Sequence, residues 1–258
     1  MSKLDYLDIH GHINFPDYGD ERPAVIKRAQ DQKVGMITVG TDLVSSMAAL
    51  EVAKANENIW ATVGIHPTEA KLSITEPLSK LASDPKVVAI GECGLDHYHS
   101  KEEDIPVQIK MFEEHIELAN SVNKPLMLHV RNGKAGGNAY DRALQLIHAH
   151  SKVRGNFHFF AGNMDDLKKI IDHNCTVSFT GVITFTHDYD ELIKYVPLSH
   201  IMSETDCPFV APVPYRGKTN EPGYVIEVAK AIAKIRNEDE VKVREQLVKN
   251  AQDFFSIS

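Results

Sequence analysis

The sequence predicts an α/β fold, a single (β/α)8 TIM-type barrel over residues 1–258 with one extra helix at its C-terminal end. Three observations predict it. The 258 residues match the ~250 that such a barrel commonly occupies as one domain. Eight short runs rich in Val, Ile and Leu alternate with longer stretches of helical periodicity, the pattern of strand–helix units around a parallel sheet. Six of the eight runs end in a histidine or a carboxylate, and barrels of this class carry their chemistry at the C-terminal ends of the strands.

The runs follow one another without a repeat, a low-complexity tract or a Gly/Ser linker. Leu4 to His10 leads into Asp8-Ile9-His10-Gly11-His12, and Val34 to Gly40 follows as the second strand. Ala61 to His66 ends in Gly64-Ile65-His66-Pro67, and Val87 to Glu92 continues as Gly91-Glu92-Cys93-Gly94-Leu95-Asp96. The clearest helix is Pro106 to Val122, in which Ile109, Phe112, Ile116 and Ala119 are spaced to line one apolar face. Pro125 to Arg131 ends in His129-Val130-Arg131, Gly155 to Phe160 contains Phe157-His158-Phe159, and Cys175 to Gly181 is the seventh run. His200 to Asp206 ends in Glu204-Thr205-Asp206 and opens the Pro-rich loop Cys207 to Pro222, long enough to be functional. Gly223 to Arg236 then reads as the last barrel helix and Glu238 to Phe255 as the extra one. An open doubly wound sheet is the rival, but Gly11-His12-Ile13-Asn14 does not resemble the Gly-rich phosphate turn that often follows its first strand.

Composition narrows the function. The hydrophobic fraction is 43% and the charged fraction 25%, ordinary for a soluble globular protein. No apolar stretch reaches the ~18 residues a membrane span needs, so no membrane partner is expected. Met1-Ser2-Lys3-Leu4-Asp5 lacks the features of a signal peptide, and a cytoplasmic location is expected. Three cysteines, Cys93, Cys175 and Cys207, with no C-x-x-C pair, indicate neither a disulfide framework nor a structural zinc site. A net charge of -8 disfavours a protein that coats nucleic acid by electrostatics alone. Thirteen histidines are the one compositional oddity, and imidazole is the commonest protein ligand for transition metals.

The rim residues suggest where metal would sit. Strand side chains alternate between faces, so His10 and His12 can point inward together and share one ion. A chance pairing or a satisfied buried histidine is the alternative for His-x-His taken alone. Glu92, between Gly91 and Gly94, can project to the barrel axis and bridge two cations. A solvated glutamate in a glycine turn is the plainer reading of that segment. Asp96 fits a loop cap that accepts backbone N–H bonds. His129 and His158 sit among apolar neighbours, where an unsatisfied imidazole is expensive to bury. They read either as core residues bonded to carbonyls or as ligands of a second ion. Asp206 comes round beside the first strand, within reach of the ion held by His10 and His12, and is assigned two duties, ligand and general base. Two ions at about 3.5 to 4 Å would lower the pKa of a bridging water. Histidine-rich ligation favours Zn²⁺ or Mn²⁺ over Mg²⁺, which prefers oxygen.

Together these motifs, with Pro214-Tyr215-Arg216-Gly217-Lys218-Thr219-Asn220-Glu221-Pro222 after Glu204-Thr205-Asp206, resemble the TatD family of metal-dependent deoxyribonucleases across nearly the whole chain. The resemblance implies a barrel of the amidohydrolase superfamily, two divalent ions (Mg, Mn or Zn) per subunit, and hydrolysis of DNA phosphodiesters, with a 3′ to 5′ exonuclease on single-stranded DNA expected. It implies that His10, His12 and Asp206 hold one ion, that His129 and His158 hold the other, and that Glu92 bridges. His66 would then sit beside the scissile phosphate, with Glu92 and Asp206 as the other catalytic groups. Arg131, Arg216 and Lys218 are the local cations an acidic protein needs to receive a polyanion. DNA is expected as a transient substrate partner of a monomer.

Two departures stand out. Arg131-Asn132-Gly133-Lys134-Ala135-Gly136-Gly137 is a longer, more flexible loop than the acidic residue and alanine the family more often has there. His158-Phe159-Phe160-Ala161-Gly162 replaces the usual His-x-Phe-Ser-Gly. Cys93 and Cys207 read as packed residues. Two other functions remain open: a metal-dependent hydrolase of a small amide, lactone or phosphoester, and a non-catalytic scaffold binding metal or nucleic acid. The fourth rim offers Glu92 and no lysine, which argues against the amidohydrolase branch that bridges its metals with a carboxylated lysine.

Overall fold

The computed structural model describes residues 4–70, 75–133 and 138–257. Eight strands form one sheet in chain order, each parallel to the next. They are β1 (Tyr6–Gly11), β2 (Val34–Val39), β3 (Ile59–Val63), β4 (Val87–Asp96), β5 (Leu126–Arg131), β6 (Gly155–Phe157), β7 (Thr176–Phe179) and β8 (Ile201–Ser203). The helices are α1 (Arg22–Asp31), α2 (Leu43–Ala55), α3 (Thr75–Ala82), α4 (Ile105–Val122), α5 (Ala139–His150), α6 (Met164–Asp172), α7 (Asp190–Tyr195), α8 (Val225–Arg236) and α9 (Glu240–Phe255). The barrel predicted from the alternation of runs is therefore present, with α9 as the extra helix. The flexible stretch expected at residues 134–137 lies outside the described residues.

Local chemistry starts and stops these elements. At α2 the Asp42 carboxylate accepts from Ser45 N–H while the Ser45 hydroxyl accepts from Asp42 N–H, a reciprocal cap that satisfies two otherwise unpaired donors. Asn163 and Asp166 do the same for α6. Helix α4 ends on Asn123 at φ 52°, a conformation asparagine tolerates. Its buried face runs through Phe112, Ile116 and Ala119 as the spacing predicts, while Ile109 is only half-buried.

Two apolar layers position the rim. The larger lies between the strands and the surrounding helices. The smaller joins Leu7, Ile37, Trp60, Val88 and Met202 of the strands to Val248, Phe254 and Phe255 of α9. Burial of each large side chain is worth about 1.5–3 kcal/mol, so α9 is part of the core and seals the end of the barrel where the strands begin. Among the described residues no helix is long and apolar enough to cross a membrane.

The barrel closes between β1 and β8 without a full ladder. A single bridge pairs Gly11 with Cys207. His12 N–H donates to the Cys207 carbonyl (2.6 Å) and Asp206 N–H to the His10 carbonyl (2.8 Å). The buried Asp8 carboxylate takes Thr205 N–H (2.8 Å) and the Thr205 hydroxyl (2.6 Å). The loop after β8 is tied down by Asn220, fully buried, whose Nδ2 donates to the Thr205 and Phe209 carbonyls and whose own carbonyl accepts from the Tyr18 hydroxyl.

Candidate metal centre

Regular alternation along β1 would put His10 on the opposite face from Ile9, which packs inside the barrel with α9. The β1–β2 register shifts between Asp8 and Gly11, and His10 is thereby brought to the interior, where its ring stacks on that of His158 with centroids 3.8 Å apart. On β4, Gly91 has φ +147° and an added Cβ would lie 2.3 Å from the Met127 carbonyl oxygen. Only glycine lets β4 approach β5 so closely. The β4–β5 register shifts just there, between Ile90 and Cys93, and turns Glu92 into the barrel while Ile90 packs in the outer layer.

Glu92 is the centre of the site. Its Oε2 lies 3.5 Å from His10 Nε2 and 3.8 Å from His12 Nε2. Its Oε1 lies 2.8 Å from His158 Nε2, 3.1 Å from His129 Nδ1 and 3.5 Å from His66 Nε2. Asp206 Oδ1 approaches the first pair, at 3.7 Å from His10 Nε2 and 3.4 Å from His12 Nε2. Asp206 itself sits at φ +53°, so β8 has ended before it.

Outer acceptors fix the rings. His12 Nδ1 donates to the Val39 carbonyl at 3.1 Å. His129 Nε2 faces Asp96 Oδ2 at 3.0 Å, and His158 Nδ1 lies 3.5 Å from Glu204 Oε1, an ion-pair approach without a hydrogen bond. Such partners orient a metal-binding imidazole and set its tautomer. Asp96 also caps the following loop, as its sequence context suggests, by accepting Tyr98 N–H and His99 N–H at 2.7 and 2.8 Å. Its second duty toward His129, and that of Glu204 toward His158, are not evident from the sequence. The signal the two share in the sequence is a carboxylate at the end of a barrel strand.

The electrostatics are those of a cation site. Burial alone would raise the Glu92 carboxyl, but the His158, His66 and His10 rings outweigh it and hold it well below the usual range. Asp206 is likewise lowered, against its burial, by His12 and His10. Burial would lower His158, yet Glu92 and Glu204 raise it well above an ordinary imidazole. Both ring nitrogens of His10 are buried without a hydrogen-bond partner, a costly state that a cation at Nε2 would relieve in part. Among the described residues, three sets of ligand atoms lie within 4.8 Å of one another: His10, His12 and Glu92; His10, His158 and Asp206; His66, Glu92 and His129. The donors fit a divalent transition metal. The second set crosses between the expected pairs, and the third groups His66 with ligands instead of apart from them.

All of these residues except His10, which lies buried behind them, line a cavity of about 630 Å³. Arg131 is on its wall, its guanidinium 4.9 Å from the Tyr98 ring centre. Arg216 is not among the lining residues; it lies over Phe185 at 4.0 Å and donates to the Ala211 carbonyl. Lys218, also outside the lining, points its ammonium to the Tyr215 ring. Cys93 and Cys207 are fully buried, their thiols pushed up by burial, as expected of packed residues.

Residues 7–256 match the family described as TatD related DNase. The chain belongs to this TatD family. It is 33% identical over 261 residues to the uncharacterized metal-dependent hydrolase YabD of Bacillus subtilis (strain 168), covering 98% of this chain and 99% of that one. Among solved structures it is similar to YJJV, a TatD homologue from Escherichia coli K12, with a TM-score of 0.87 at 22% identity and 99% of each chain covered. A TatD family hydrolase from Entamoeba histolytica superposes with a TM-score of 0.85 at 18% identity, covering 98% of this chain and 99% of that one. These two likenesses show the fold, and the ligand candidates of this TatD chain lie at the strand ends where that fold places chemistry.

Proposed function

We propose that the protein hydrolyses phosphodiester bonds in DNA, as a 3′ to 5′ exonuclease on single strands, with two divalent cations. The observation that carries this reading is the division of Glu92, one oxygen toward His10 and His12, the other toward His129 and His158. A carboxylate shared in this way suits a pair of cations. When bound, the cations would supply Lewis acidity to the water and to the phosphoryl group.

The remaining chemistry belongs to the chain. Asp206, whose Oδ1 lies 3.4 Å from His12 Nε2 and 3.7 Å from His10 Nε2, takes the proton of the attacking water as the new O–P bond forms and the P–O3′ bond breaks, the freed 3′ oxygen taking a proton from solvent. Burial pushes His66 down to about 4 in spite of the pull of Glu92, so the ring is neutral near pH 7. Its Nδ1 accepts from Thr68 N–H, which leaves the proton on Nε2 as a donor to a phosphoryl oxygen. Arg131 meets the phosphate from the cavity wall. Arg216 and Lys218, on the outer loop, are left to meet phosphates farther along a strand. All these groups come from one chain, so a monomer suffices.

The test is digestion of end-labelled single- and double-stranded DNA with Mg²⁺, Mn²⁺ and Zn²⁺ in turn. Shortening from the 3′ end, abolished by Asp206→Asn, is expected; no cleavage with any metal overturns the reading. The cavity volume of about 630 Å³ and the net charge of -8 favour a second reading, a small phosphoester, amide or lactone as substrate, which chromogenic substrates would reveal. An inert scaffold predicts bound metal and turnover of none of them.

A further inference from the structure

Three phenylalanines on the cavity wall, Phe15, Phe159 and Phe209, have no place in either core cluster; Phe15 is already stacked on His12, centroids 4.4 Å apart, which leaves Phe159 and Phe209. Phe159 follows His158 and sits at φ +43°, an uncommon conformation for a bulky residue that clusters at functional sites. Its N–H is held by Glu204 Oε1 at 2.6 Å. Glu204 is buried and also accepts from the Ser178 hydroxyl. The left-handed turn lets Phe160 take the core position, edge-on to Tyr140 and Phe179. Phe159 is left half-buried in the cavity wall, its ring edge toward His158.

Phe209 occupies the matching place beside the other histidine pair. It is 50% exposed, its ring centre 6.3 Å from that of His12 and inclined to it by 64°. Its N–H donates to the Asp206 carbonyl and its carbonyl accepts from buried Asn220. Both residues are anchored through their backbones to buried polar groups, while neither ring belongs to the packed core. An apolar planar surface kept open beside a charged centre suits a planar apolar group of the substrate, and stacked nucleobases are such groups.

We propose that Phe159 and Phe209 are specificity-determining residues that grip the nucleobase next to the scissile phosphodiester, one ring on each side of the metal centre. The assignment rests on the DNA-hydrolase reading given above. Stacking on an aromatic side chain contributes about 1–3 kcal/mol per base, or about 5- to 100-fold.

The experiment compares two single-stranded oligonucleotides, one intact and one with an abasic residue at the terminal position, using metal-loaded wild type, Phe159→Ala, Phe209→Ala and Phe159→Leu. Wild type should prefer the intact end by about 5-fold or more. Each alanine variant should lose that preference through a higher KM on the intact oligonucleotide, with the rate on the abasic one and the metal content unchanged. Phe159→Leu keeps apolar volume without a ring, so it should behave as the alanine variant does, and Phe159→Trp should restore the preference. Equal rates of wild type on the two ends overturn the grip and leave the nuclease reading standing. So does an equal loss on both substrates, which would mark the rings as mere shielding. Failure to cleave any oligonucleotide overturns both.

Discussion

Replacing Asp96 by asparagine should disable His129 without touching it. Asp96 Oδ1 accepts two loop amides, from Tyr98 and His99, whereas Oδ2 faces His129 Nε2 at 3.0 Å and His99 Nδ1 at 2.8 Å. In Asp96→Asn the two loop amides demand the remaining oxygen, so the NH2 group falls opposite His129. That ring must then present a lone pair at Nε2 and carry its proton on Nδ1, the nitrogen 3.1 Å from Glu92 Oε1 that would otherwise serve a metal. Loss of such an orienting partner typically costs 10- to 100-fold in metal affinity or activity, about 1.4–2.8 kcal/mol, and the inverted tautomer places this case near the upper end. The assay is competition for Zn²⁺ or Mn²⁺ against a chromophoric chelator. The urea midpoint should barely move, because the loop cap survives. A metal affinity within about twofold of wild type would refute the reasoning, since 10-fold is the smallest loss the mechanism allows.

Four further outcomes follow from other parts of the molecule. His115 is buried, accepts Ile65 N–H at Nε2, and is pushed down to about 4 by burial, against the pull of the Met111 carbonyl. Its contribution is therefore complete above the unfolded value of 6.5 and is lost as pH falls toward 4, in all about 3 kcal/mol at 1.4 kcal/mol per pH unit. Urea unfolding of wild type and His115→Gln should diverge in pH dependence across that window. Gly91→Ala combines overpacking against the Met127 backbone with a positive φ, and should cost about 2–5 kcal/mol. Gly217→Ala, also at positive φ but with nothing within 4 Å, should cost only about 1–2 kcal/mol by the same measurement. Asn220→Ala strands the Thr205 and Phe209 carbonyls, so a stability loss of about 1–3 kcal/mol should accompany a raised KM, read from urea unfolding and steady-state kinetics.

The order of strands and helices was legible because apolar runs and helical periodicity reflect burial directly. Ends of elements were less so. The apolar third run extends through His66, but β3 stops at Val63 and His66 caps a short 3-10 turn. The eighth run extends to Asp206, but β8 stops at Ser203; both residues lie beyond the ladder, with their side chains on the cavity. His10, His12, Glu92, His129, His158 and Asp206 are brought together around Glu92. The reason His10 faces inward, a register shift, depends on the neighbouring strand and has no trace in β1 alone. Asp96 and Glu204 were hidden for a related reason: a carboxylate that orients another side chain is recognised only when the two are seen together. Arg216 and Lys218 form pairs with Phe185 and Tyr215 that link separate loops or close neighbours, and charge patterning could not separate those from cavity-lining cations.

The seam between β1 and β8 makes the site a test of completeness. Its first candidate ligand is His10 and its last is Asp206, and the backbone amide of Asp206 itself makes one of the bonds that shut the barrel. A chain still being synthesised can assemble strands one after another, since each pairs with its predecessor, yet it has no finished cavity until the eighth arrives. No amino-terminal fragment ending before Asp206 can carry the full donor set, which is completed by the same residue whose amide helps to close the barrel.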